Sequence, residues 1–234
     1  MKAFVITIKG NEVSETAAQT CIDSSKIYKN DFDVETFDAI TPPDVDRLLL
    51  KNGIKWNYPW EGQVVDFTTG LTKKAYPTEN KKARVACALS HYSLWTACAH
   101  GAIPYLVMEH DAIFTARLDY KVIEKTKRLI ISINNPLYAT RKAREYKEKI
   151  ENSTPDQQGV VHVPYIDEMS VPQGLPGNSA YIIKPDGAQK MIDLVKEYGL
   201  WPNDALMCRQ LIPNIGCTKK FYTRVQGTRS TTTF

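Results

Sequence analysis

Short apolar runs alternate with longer amphipathic segments along most of the chain. Residues 3–8 form a continuous apolar run that is rich in β-branched residues, as in a parallel strand buried on both faces. Residues 105–108 and 180–183 are of the same kind. From residue 80 to residue 100, apolar residues recur at three- to four-residue steps, which predicts a helix. This alternation predicts an α/β fold with a mixed β-sheet and helices on both faces.

Capping and turn residues predict the remaining elements. Ser14 is placed to cap a helix that continues to about Ser25, and Gly199 is placed to end a later one. The further predictions are strands over residues 34–37, 129–133 and 160–164, and helices over residues 42–51, 186–198 and 204–211.

Three segments do not fit this pattern. Residues 53–79 lack a helical period and are rich in aromatics, which is typical of a functional loop or lid. Residues 138–158 are highly charged and are expected to form a mobile excursion, and residues 217–234 a basic tail. Because no linker separates these segments from the rest, residues 1–234 are expected to form a single domain.

Composition indicates a globular protein in a reducing compartment. The sequence is 43% hydrophobic and 24% charged, which is ordinary for such a protein. It has no apolar run long enough to span a bilayer and no pattern of a signal peptide, so integral membrane association is not expected. The five cysteines include no C-x-x-C pair, which favours free thiols and a cytoplasmic location.

Two acidic residues follow the central apolar run. Glu109 and Asp111 are two positions apart, so in extended backbone their side chains point to the same side. Hard cations such as Mg²⁺ and Mn²⁺ take one or two protein carboxylates and fill other positions with substrate phosphates. The pair therefore predicts a metal site for a phosphorylated substrate. The alternative is a strand end with two solvated acids.

The segments around this pair resemble glycosyltransferase family 25. That family has a pattern G-C-x-L-S-H-x-x-x-W, then P-Y-x-x-x-x-E-D-D-A, then G-x-x-A-Y-x-I-x-x-x-G-A and a late P-x-D. The corresponding stretches follow in the same order over most of the chain: residues 86–95, 103–114, 177–188 and 202–204. His110 departs from the pattern, since the family has an acid there.

The resemblance implies a single-domain GT-A-like fold and an inverting, metal-dependent hexosyl- or pentosyltransferase. By resemblance, Asp111 binds Mn²⁺ or Mg²⁺, and Glu109 contacts the metal through water or the ribose. A nucleotide-sugar, with UDP the expected nucleotide, is the donor. Asp204 then serves as the base toward the acceptor hydroxyl. Its alternative role is to cap a helix after Pro202.

Further residues are assigned to the donor side. The candidates for contact with the nucleotide-sugar are Ser90, His91, His110, Gly177 and Asn178. For His91 the alternative is a buried structural histidine, and for the Gly177 segment a plain turn. Other chemistries lack their motifs: the sequence has no G-x-S-x-G elbow, no Walker-type loop and no G-x-G-x-x-G after the first strand.

The charge distribution bears on the acceptor. Residues 1–80 carry 9 Lys/Arg and 12 Asp/Glu, whereas the rest carries 21 and 14. The family includes lipooligosaccharide transferases, and this short form resembles versions carried by tailed bacteriophages.

The phage resemblance and the basic second part of the chain favour 5-hydroxymethylcytosine in double-stranded phage DNA as the acceptor, with lipooligosaccharide as the alternative. A catalytically degenerate sugar- or nucleic-acid-binding module is a third possibility. The residues expected to contact DNA are Lys127, Arg128, Arg141, Lys219 and Lys220.

Overall fold

The structure is a computed structural model that describes residues 1–227. The strands are β1 (Lys2–Thr7), β2 (Val34–Asp38), β3 (Gln63–Asp66), β4 (Leu71–Lys74), β5 (Tyr105–Glu109), β6 (Ala112–Phe114), β7 (Ile130–Ser132), β8 (Val160–His162), β9 (Ala180–Ile183), β10 (Ile215–Thr218) and β11 (Thr223–Val225). The helices are α1 (Glu12–Ile27), α2 (Val45–Asn52), α3 (Lys81–Ala99), α4 (Tyr120–Ile123), α5 (Ala143–Asn152), α6 (Pro185–Tyr198) and α7 (Asn203–Leu206), with a 3₁₀ turn over Pro42–Asp44.

A seven-stranded mixed sheet organises these elements in the order β2-β1-β5-β9-β7-β10-β8. Strand β1 is parallel to both β2 and β5, and β10 is parallel to β7. Strand β9 is antiparallel to its two neighbours, β5 and β7, and β8 is antiparallel to β10. Five strands therefore run in one direction, and their carboxyl ends share one edge of the sheet.

Helices cover both faces of this sheet. Consecutive residues of β1 point to opposite faces, so Val5 and Ile6 belong to different core clusters. Helices α3 and α6 pack with Ile6 on one face, and α1 packs with Val5 on the other. The predicted fold class, a mixed sheet with helices on both faces, is confirmed.

The start of α1 differs from the sequence prediction. Asn11, not Ser14, caps the helix, because the Asn11 side chain accepts a hydrogen bond from the Ser14 amide at 3.0 Å. The Ser14 hydroxyl instead accepts from the Ile8 amide at 2.8 Å. These two bonds fix the turn that leaves β1 at the carboxyl edge of the sheet.

The two irregular segments contain elements that sequence reasoning did not predict. Residues 53–79 include the hairpin β3–β4, and the Tyr58 ring packs 5.8 Å from the Trp201 ring. Residues 138–158 include α5, which buries Tyr146 and Ile150. Two apolar contacts on a charged helix leave little periodic signal. The mobility of both segments stays a prediction.

The end of the described chain is part of the folded structure. Cys217 lies in β10 within the main sheet, and β11 pairs with β6. Residues 217–225 are therefore not a tail, and residues 228–234 lie outside the described residues. Among residues 1–227, no helix is long and apolar enough to cross a membrane.

Gly174 packs directly against the backbone of α7. A Cβ at this position would lie 2.1 Å from the Asp204 carbonyl oxygen. We expect Gly174→Ala to lower the free energy of unfolding by about 1–3 kcal/mol, because backbone must move to admit the methyl group. Denaturant unfolding measures this. Gly101→Ala is the control, since its Cβ would meet nothing closer than 3.4 Å. Equal losses in the two variants would contradict the prediction.

Candidate active site

A cleft of about 870 Å³ opens at the carboxyl edge of the main sheet. The ends of β1, β2 and β5 contribute to its floor, together with the residues that precede β9. The predicted residues that line it are Ser90, His91, Glu109, His110, Asp111, Asn178 and Asp204. The structure thus brings together side chains that are up to 114 positions apart in the sequence.

Glu109 is the last residue of β5, and its backbone position is fixed by β9. The Glu109 amide donates to the Ser179 carbonyl oxygen at 2.9 Å. Its side chain is 32% exposed and lies with Oε1 3.3 Å from His91 Nε2. The carboxylate therefore has one side held by protein and the other side open to the cleft.

A buried chain of hydrogen bonds supports Glu109 from below. Trp95 Nε1 donates to the Tyr181 hydroxyl oxygen at 2.8 Å, and this oxygen is 2.8 Å from His91 Nδ1. Trp95, Tyr181 and His91 are each 0% exposed. Since a carboxylate only accepts and an indole only donates, the order for a neutral imidazole is Trp95 to Tyr181 to His91 Nδ1, with His91 Nε2 donating to Glu109. Every polar atom in this chain then has a partner, which agrees with the structural alternative for His91.

This support keeps Glu109 ionised. Burial is the largest single effect and works against the charged form, but the hydrogen bond and charge of His91, with smaller contributions from His110 and Asn203, together hold the pKa of Glu109 below its ordinary value. Cys87 lies beside the pair, and ligand atoms of Cys87, His91 and Glu109 are all within 4.8 Å of one another. Burial holds the pKa of the Cys87 thiol well above its ordinary value, so the thiol stays protonated. A protonated thiol and a hydrogen-bonded imidazole are poor ligands for a hard cation.

Asp111 offers better ligand atoms. Its Oδ1 is buried and has no hydrogen-bond partner among the described residues. Burial, followed by the charge of Glu109, raises the pKa of Asp111 to about 7. A bound cation would offset the cost of ionising Asp111 beside Glu109, because it supplies the positive charge that the surroundings lack. The carboxylates of Glu109 and Asp111 therefore fit Mn²⁺ or Mg²⁺.

Gln226 fixes the turn that carries Asp111. The Gln226 amide donates to the Asp111 carbonyl oxygen at 2.7 Å. Its side-chain Nε2 approaches the carbonyl oxygens of Ala17, His110 and Ala112 at 2.9, 3.2 and 3.0 Å. Sequence reasoning missed this residue, since nothing in its neighbourhood marks a contact more than 110 positions away.

Asn178 presents an unused amide to the cleft. It is 8% exposed, and neither Oδ1 nor Nδ2 has a hydrogen-bond partner within residues 1–227. A buried amide without partners costs free energy, so this side chain is suited to a ligand that supplies both a donor and an acceptor.

Gly177 does not line the cleft. Its φ of +84° favours glycine, and a Cβ there would lie 2.7 Å from the Ala139 Cβ. Its role is to let the loop at Ala139 pack closely, so the turn interpretation fits this residue better than contact with the donor. Ser90 does line the cleft, but its hydroxyl already donates to the Ala86 carbonyl and accepts from the Ile40 amide, both at 2.9 Å.

Asp204 lies in the first turn of α7 without capping it. The N-cap position is Pro202, and no side-chain cap hydrogen bond is formed. The predicted helix over residues 204–211 is therefore wrong in extent, because α7 ends at Leu206. Burial raises the pKa of Asp204, and the charge of Glu109 adds to this, whereas the charge of Arg84 opposes it. A carboxylate with a raised pKa in a cleft is suited to proton transfer.

His110 faces the cleft between the two acids. Burial lowers the pKa of His110, and the charge of Glu109 opposes this only in part. The imidazole is therefore neutral at neutral pH and adds no charge to the pair of carboxylates. It can offer one donor and one acceptor to a ligand.

The predicted DNA contacts are not gathered around the cleft. Lys127 and Arg128 precede β7, whose amino end is at the edge of the sheet opposite the cleft. Within the part of the chain that the structure describes, none of the five lines the cleft: Lys127, Arg128, Arg141, Lys219 and Lys220.

Three of these cations already have partners. Arg141 lies 2.5 Å from the carboxylate of Asp167. Lys219 Nζ donates to the Ser153 carbonyl oxygen at 3.1 Å, and Lys220 lies over the ring of Tyr222. Arg141, Lys219 and Lys220 are thus engaged with protein groups, and none of the five cations lines the cleft.

Two further residues at the cleft were missed as site residues. Arg84 lines the cleft, although its sequence neighbours Lys81 and Lys82 suggest only a basic surface. Tyr138 lies at the rim, where it is 94% exposed with a φ of +66°. A left-handed backbone at an aromatic residue is uncommon and is associated with functional sites.

Sequence comparison gives one family match. The model of glycosyltransferase family 25, described as an LPS biosynthesis protein, matches residues 4–207, which is most of the chain. No curated protein matches the sequence.

Three solved structures show distant similarity. The galactosyltransferase LgtC in complex with donor and acceptor sugar analogs is 12% identical, with a TM-score of 0.43 over 93% of this chain and 73% of that chain. An active-site mutant of LgtC is 9% identical, with a TM-score of 0.46 over 98% and 88%. Mouse xyloside xylosyltransferase 1 in its apo form is 10% identical, with a TM-score of 0.43 over 94% and 83%. Similarity this low does not indicate what the present chain binds.

Removal of the Tyr181 hydroxyl tests the buried hydrogen-bond chain. Tyr181→Phe leaves Trp95 Nε1 and His91 Nδ1 without their shared partner. We expect the free energy of unfolding to fall by about 1–3 kcal/mol, as for other buried groups left unpaired. Tyr222→Phe is the control, because Tyr222 also lies in the core, at 7% exposure, but takes no part in these hydrogen bonds. If the two variants had the same free energy of unfolding in denaturant, the buried hydrogen bonds of Tyr181 would not contribute to stability.

Proposed function

This chain belongs to glycosyltransferase family 25, and we propose that its cleft moves a sugar from a nucleotide-sugar to an acceptor hydroxyl with the help of a divalent cation. The observation that carries the proposal is the set of unpartnered polar atoms in the cleft. Asp111 Oδ1 and both amide atoms of Asn178 are buried without partners, beside a Glu109 that is held ionised. Such a set is costly unless a cation and a polar ligand occupy it.

Asp111 and Glu109 would hold Mn²⁺ or Mg²⁺. The cation supplies positive charge that neutralises the diphosphate of the donor as it leaves. The chain Trp95–Tyr181–His91 orients the Glu109 carboxylate. Gln226 holds the Asp111 backbone. The Glu109 carboxylate and the backbone that carries Asp111 are thus fixed before the substrate binds, which reduces the cost of ordering the site.

Asn178 is the proposed contact for the polar groups of the donor. Its amide offers two donors and an acceptor, and it lies next to Ser179, whose carbonyl holds Glu109. We propose a UDP-sugar as the donor, with a hexose or a pentose transferred. Ser90 and His91 act indirectly, since their polar atoms are engaged with protein partners.

Asp204 is the proposed base. It takes the proton of the acceptor hydroxyl as the acceptor oxygen bonds to the anomeric carbon, while the bond from that carbon to the diphosphate oxygen breaks. The direct displacement inverts the anomeric configuration. The raised pKa of Asp204 makes it a stronger base, and the charge of Arg84 limits that rise so that the carboxylate can still ionise.

A neutral His110 between the acids does not remove these groups. Glu109, Asp111 and Asp204 all line the same cleft, so the features needed for transfer are present together. A catalytically degenerate binding module would not need a carboxylate with a raised pKa at the position of Asp204.

For the acceptor, we propose a sugar hydroxyl of a cell-surface glycan of the lipooligosaccharide type. The family description as an LPS biosynthesis protein supports this. The five cations predicted to contact DNA also favour it, since none of them lines the cleft and Lys127 and Arg128 lie at the opposite edge of the sheet. Hydroxymethylcytosine in phage DNA is the alternative. A phage origin and a cytoplasmic location stay predictions.

Asp111→Asn tests the cation site. We expect turnover to be abolished while the fold is kept, because the change removes a ligand charge at a buried oxygen that has no protein partner. The rise in melting temperature that Mn²⁺ and UDP give the wild type should also disappear. Asp31→Asn is the control, as Asp31 is exposed. Near wild-type activity of Asp111→Asn in Mn²⁺ would show that the assignment of Glu109, His110 and Asp111 is wrong.

Asp204→Asn tests the base. We expect kcat to fall by roughly 10²–10⁴-fold, the usual effect of losing a positioned general base, with little change in affinity for the donor. Steady-state kinetics and donor titration measure the two quantities. A lower melting temperature with an unchanged kcat would mean that Asp204 has only a structural role.

Salt dependence distinguishes the two acceptors. DNA binding through roughly four to six phosphate contacts would give a slope of log K against log salt of about −4 to −5. For the glycan acceptor we expect log K to change much less with log salt, and we expect no sugar transfer to hydroxymethylated DNA. Lys127→Glu and Arg128→Glu should leave transfer unchanged. A steep slope that either substitution reduces, together with sugar on the DNA, would restore the DNA acceptor.

A further inference from the structure

Arg84 is the one Lys or Arg side chain among the described residues that line the cleft. It lies in the first turns of α3, and three carboxylates, those of Glu109, Asp111 and Asp204, share the cleft with it. Among residues 1–227 it forms no ion pair, although other surface cations such as Lys82 do. A guanidinium that faces a cleft without a carboxylate partner is available for an anionic ligand.

The guanidinium is held from behind. Arg84 Nε donates to the Thr78 hydroxyl at 2.7 Å, and Nη2 donates to the Pro77 carbonyl oxygen at 3.0 Å. Its carbon Cζ lies 5.3 Å from the centre of the Tyr76 ring. These contacts use two of the five N–H groups and leave three for a ligand. The forked set of N–H groups of the Arg84 guanidinium is therefore ordered before a ligand binds, which lowers the entropic cost of binding.

The surroundings place Arg84 on the side of Asp204. Arg84 packs on the Tyr76 ring, Tyr76 stacks on Tyr58 with 5.7 Å between ring centres, and Tyr58 packs against Trp201, which lies three residues before Asp204. The positive charge of Arg84 accordingly lowers the pKa of Asp204. The diphosphate of the donor has its own counter-charge in the proposed cation at Glu109 and Asp111. An anion at Arg84 would thus belong to the other substrate.

We infer that Arg84 forms an anion subsite that binds a phosphate or carboxylate of the acceptor, close to the hydroxyl that Asp204 deprotonates. The inference rests on the proposed function and specifies its acceptor: a sugar that carries an anionic group near the reacting hydroxyl. A neutral sugar would leave the Arg84 fork without a partner. The subsite also explains how an acidic cleft can accept a second anionic substrate.

Inorganic phosphate, used as the probe, tests the subsite by thermal shift. The wild-type chain is first saturated with UDP and Mn²⁺, and phosphate is then added. We expect phosphate to raise the melting temperature further. In Arg84→Gln, roughly 10- to 100-fold more phosphate should be needed for the same rise, which corresponds to the loss of hydrogen bonds to a charged group. Arg84→Lys should recover only part of the effect, because it keeps the charge but not the fork.

Two control variants separate this role from others. Lys82→Gln removes a charge from the same turn of α3, on a side chain that pairs with Asp46, and should leave the phosphate response unchanged. Thr78→Val removes the hydrogen bond to Nε but keeps the guanidinium. If Arg84 only anchored the loop, Thr78→Val would reproduce the effect of Arg84→Gln.

A kinetic arm identifies the substrate concerned. Transfer is measured with matched pairs of acceptor sugars that differ only in a phosphate or carboxylate, at a saturating UDP-sugar concentration. We expect Arg84→Gln to raise KM for the anionic member by roughly 10- to 100-fold and to leave KM for the donor unchanged.

Several results would overturn the inference. An equal phosphate response in wild type and Arg84→Gln would remove the subsite, as would an equal loss in Lys82→Gln. If UDP and Mn²⁺ abolished the phosphate response of the wild type, Arg84 would belong to the donor site. Failure of UDP and Mn²⁺ to stabilise the chain at all would instead refute the proposed donor site, while the phosphate response of Arg84→Gln would still show whether Arg84 binds an anion.

Discussion

The insertion of the antiparallel strand β9 between the parallel strands β5 and β7 is the constraint on which the cleft depends. Because β9 runs in the opposite direction, the residues that precede it meet the carboxyl end of β5. The hydrogen bond from the Glu109 amide to the Ser179 carbonyl is the last link of this pairing. Asn178 and Asp111, which continue from these two residues, therefore reach the same cleft.

The same pairing gives Glu109 its support. Tyr181 lies in β9, and His91 and Trp95 lie one turn apart on α3, so packing α3 on the sheet brings all three together. The three side chains are fully buried, yet each polar atom is used. A buried network that is fully satisfied holds one geometry, and here it directs a charged group outward to the cleft. Core packing and site geometry are thus linked through Tyr181.

The sequence predicted those parts of the fold that have a strong local signal. The long helices α1, α3 and α6 and the buried strands β1, β5 and β9 have clear periods or apolar runs, and they were found. Strands β10 and β11 were missed because each is only three or four residues long; Lys219 and Lys220 follow β10, and Arg224 lies in the middle of β11. Their pairing depends on contacts distant in sequence, which a local pattern does not contain.

The residues of the candidate site likewise fall into those that the sequence could identify and those that it could not. Acidic residues with motif spacing, such as Glu109 and Asp111, could be identified from the sequence, and the structure places them in the cleft. Arg84 and Gln226 could not, because the contacts of Arg84 come from the segment after the β3–β4 hairpin and those of Gln226 from the pairing of β11 with β6.

The proposed reaction depends on Mn²⁺ held by Glu109 and Asp111, with the polar groups of the donor against Asn178. Paramagnetic broadening of amide signals in NMR spectra recorded with Mn²⁺ and UDP locates the bound cation. We expect broadening at residues 109–111 and at the Asn178 side-chain amide, with the signals of Lys127 and Arg128 unaffected. Broadening confined to another part of the chain, with the signals of residues 109–111 and Asn178 unchanged, would contradict this position of the cation.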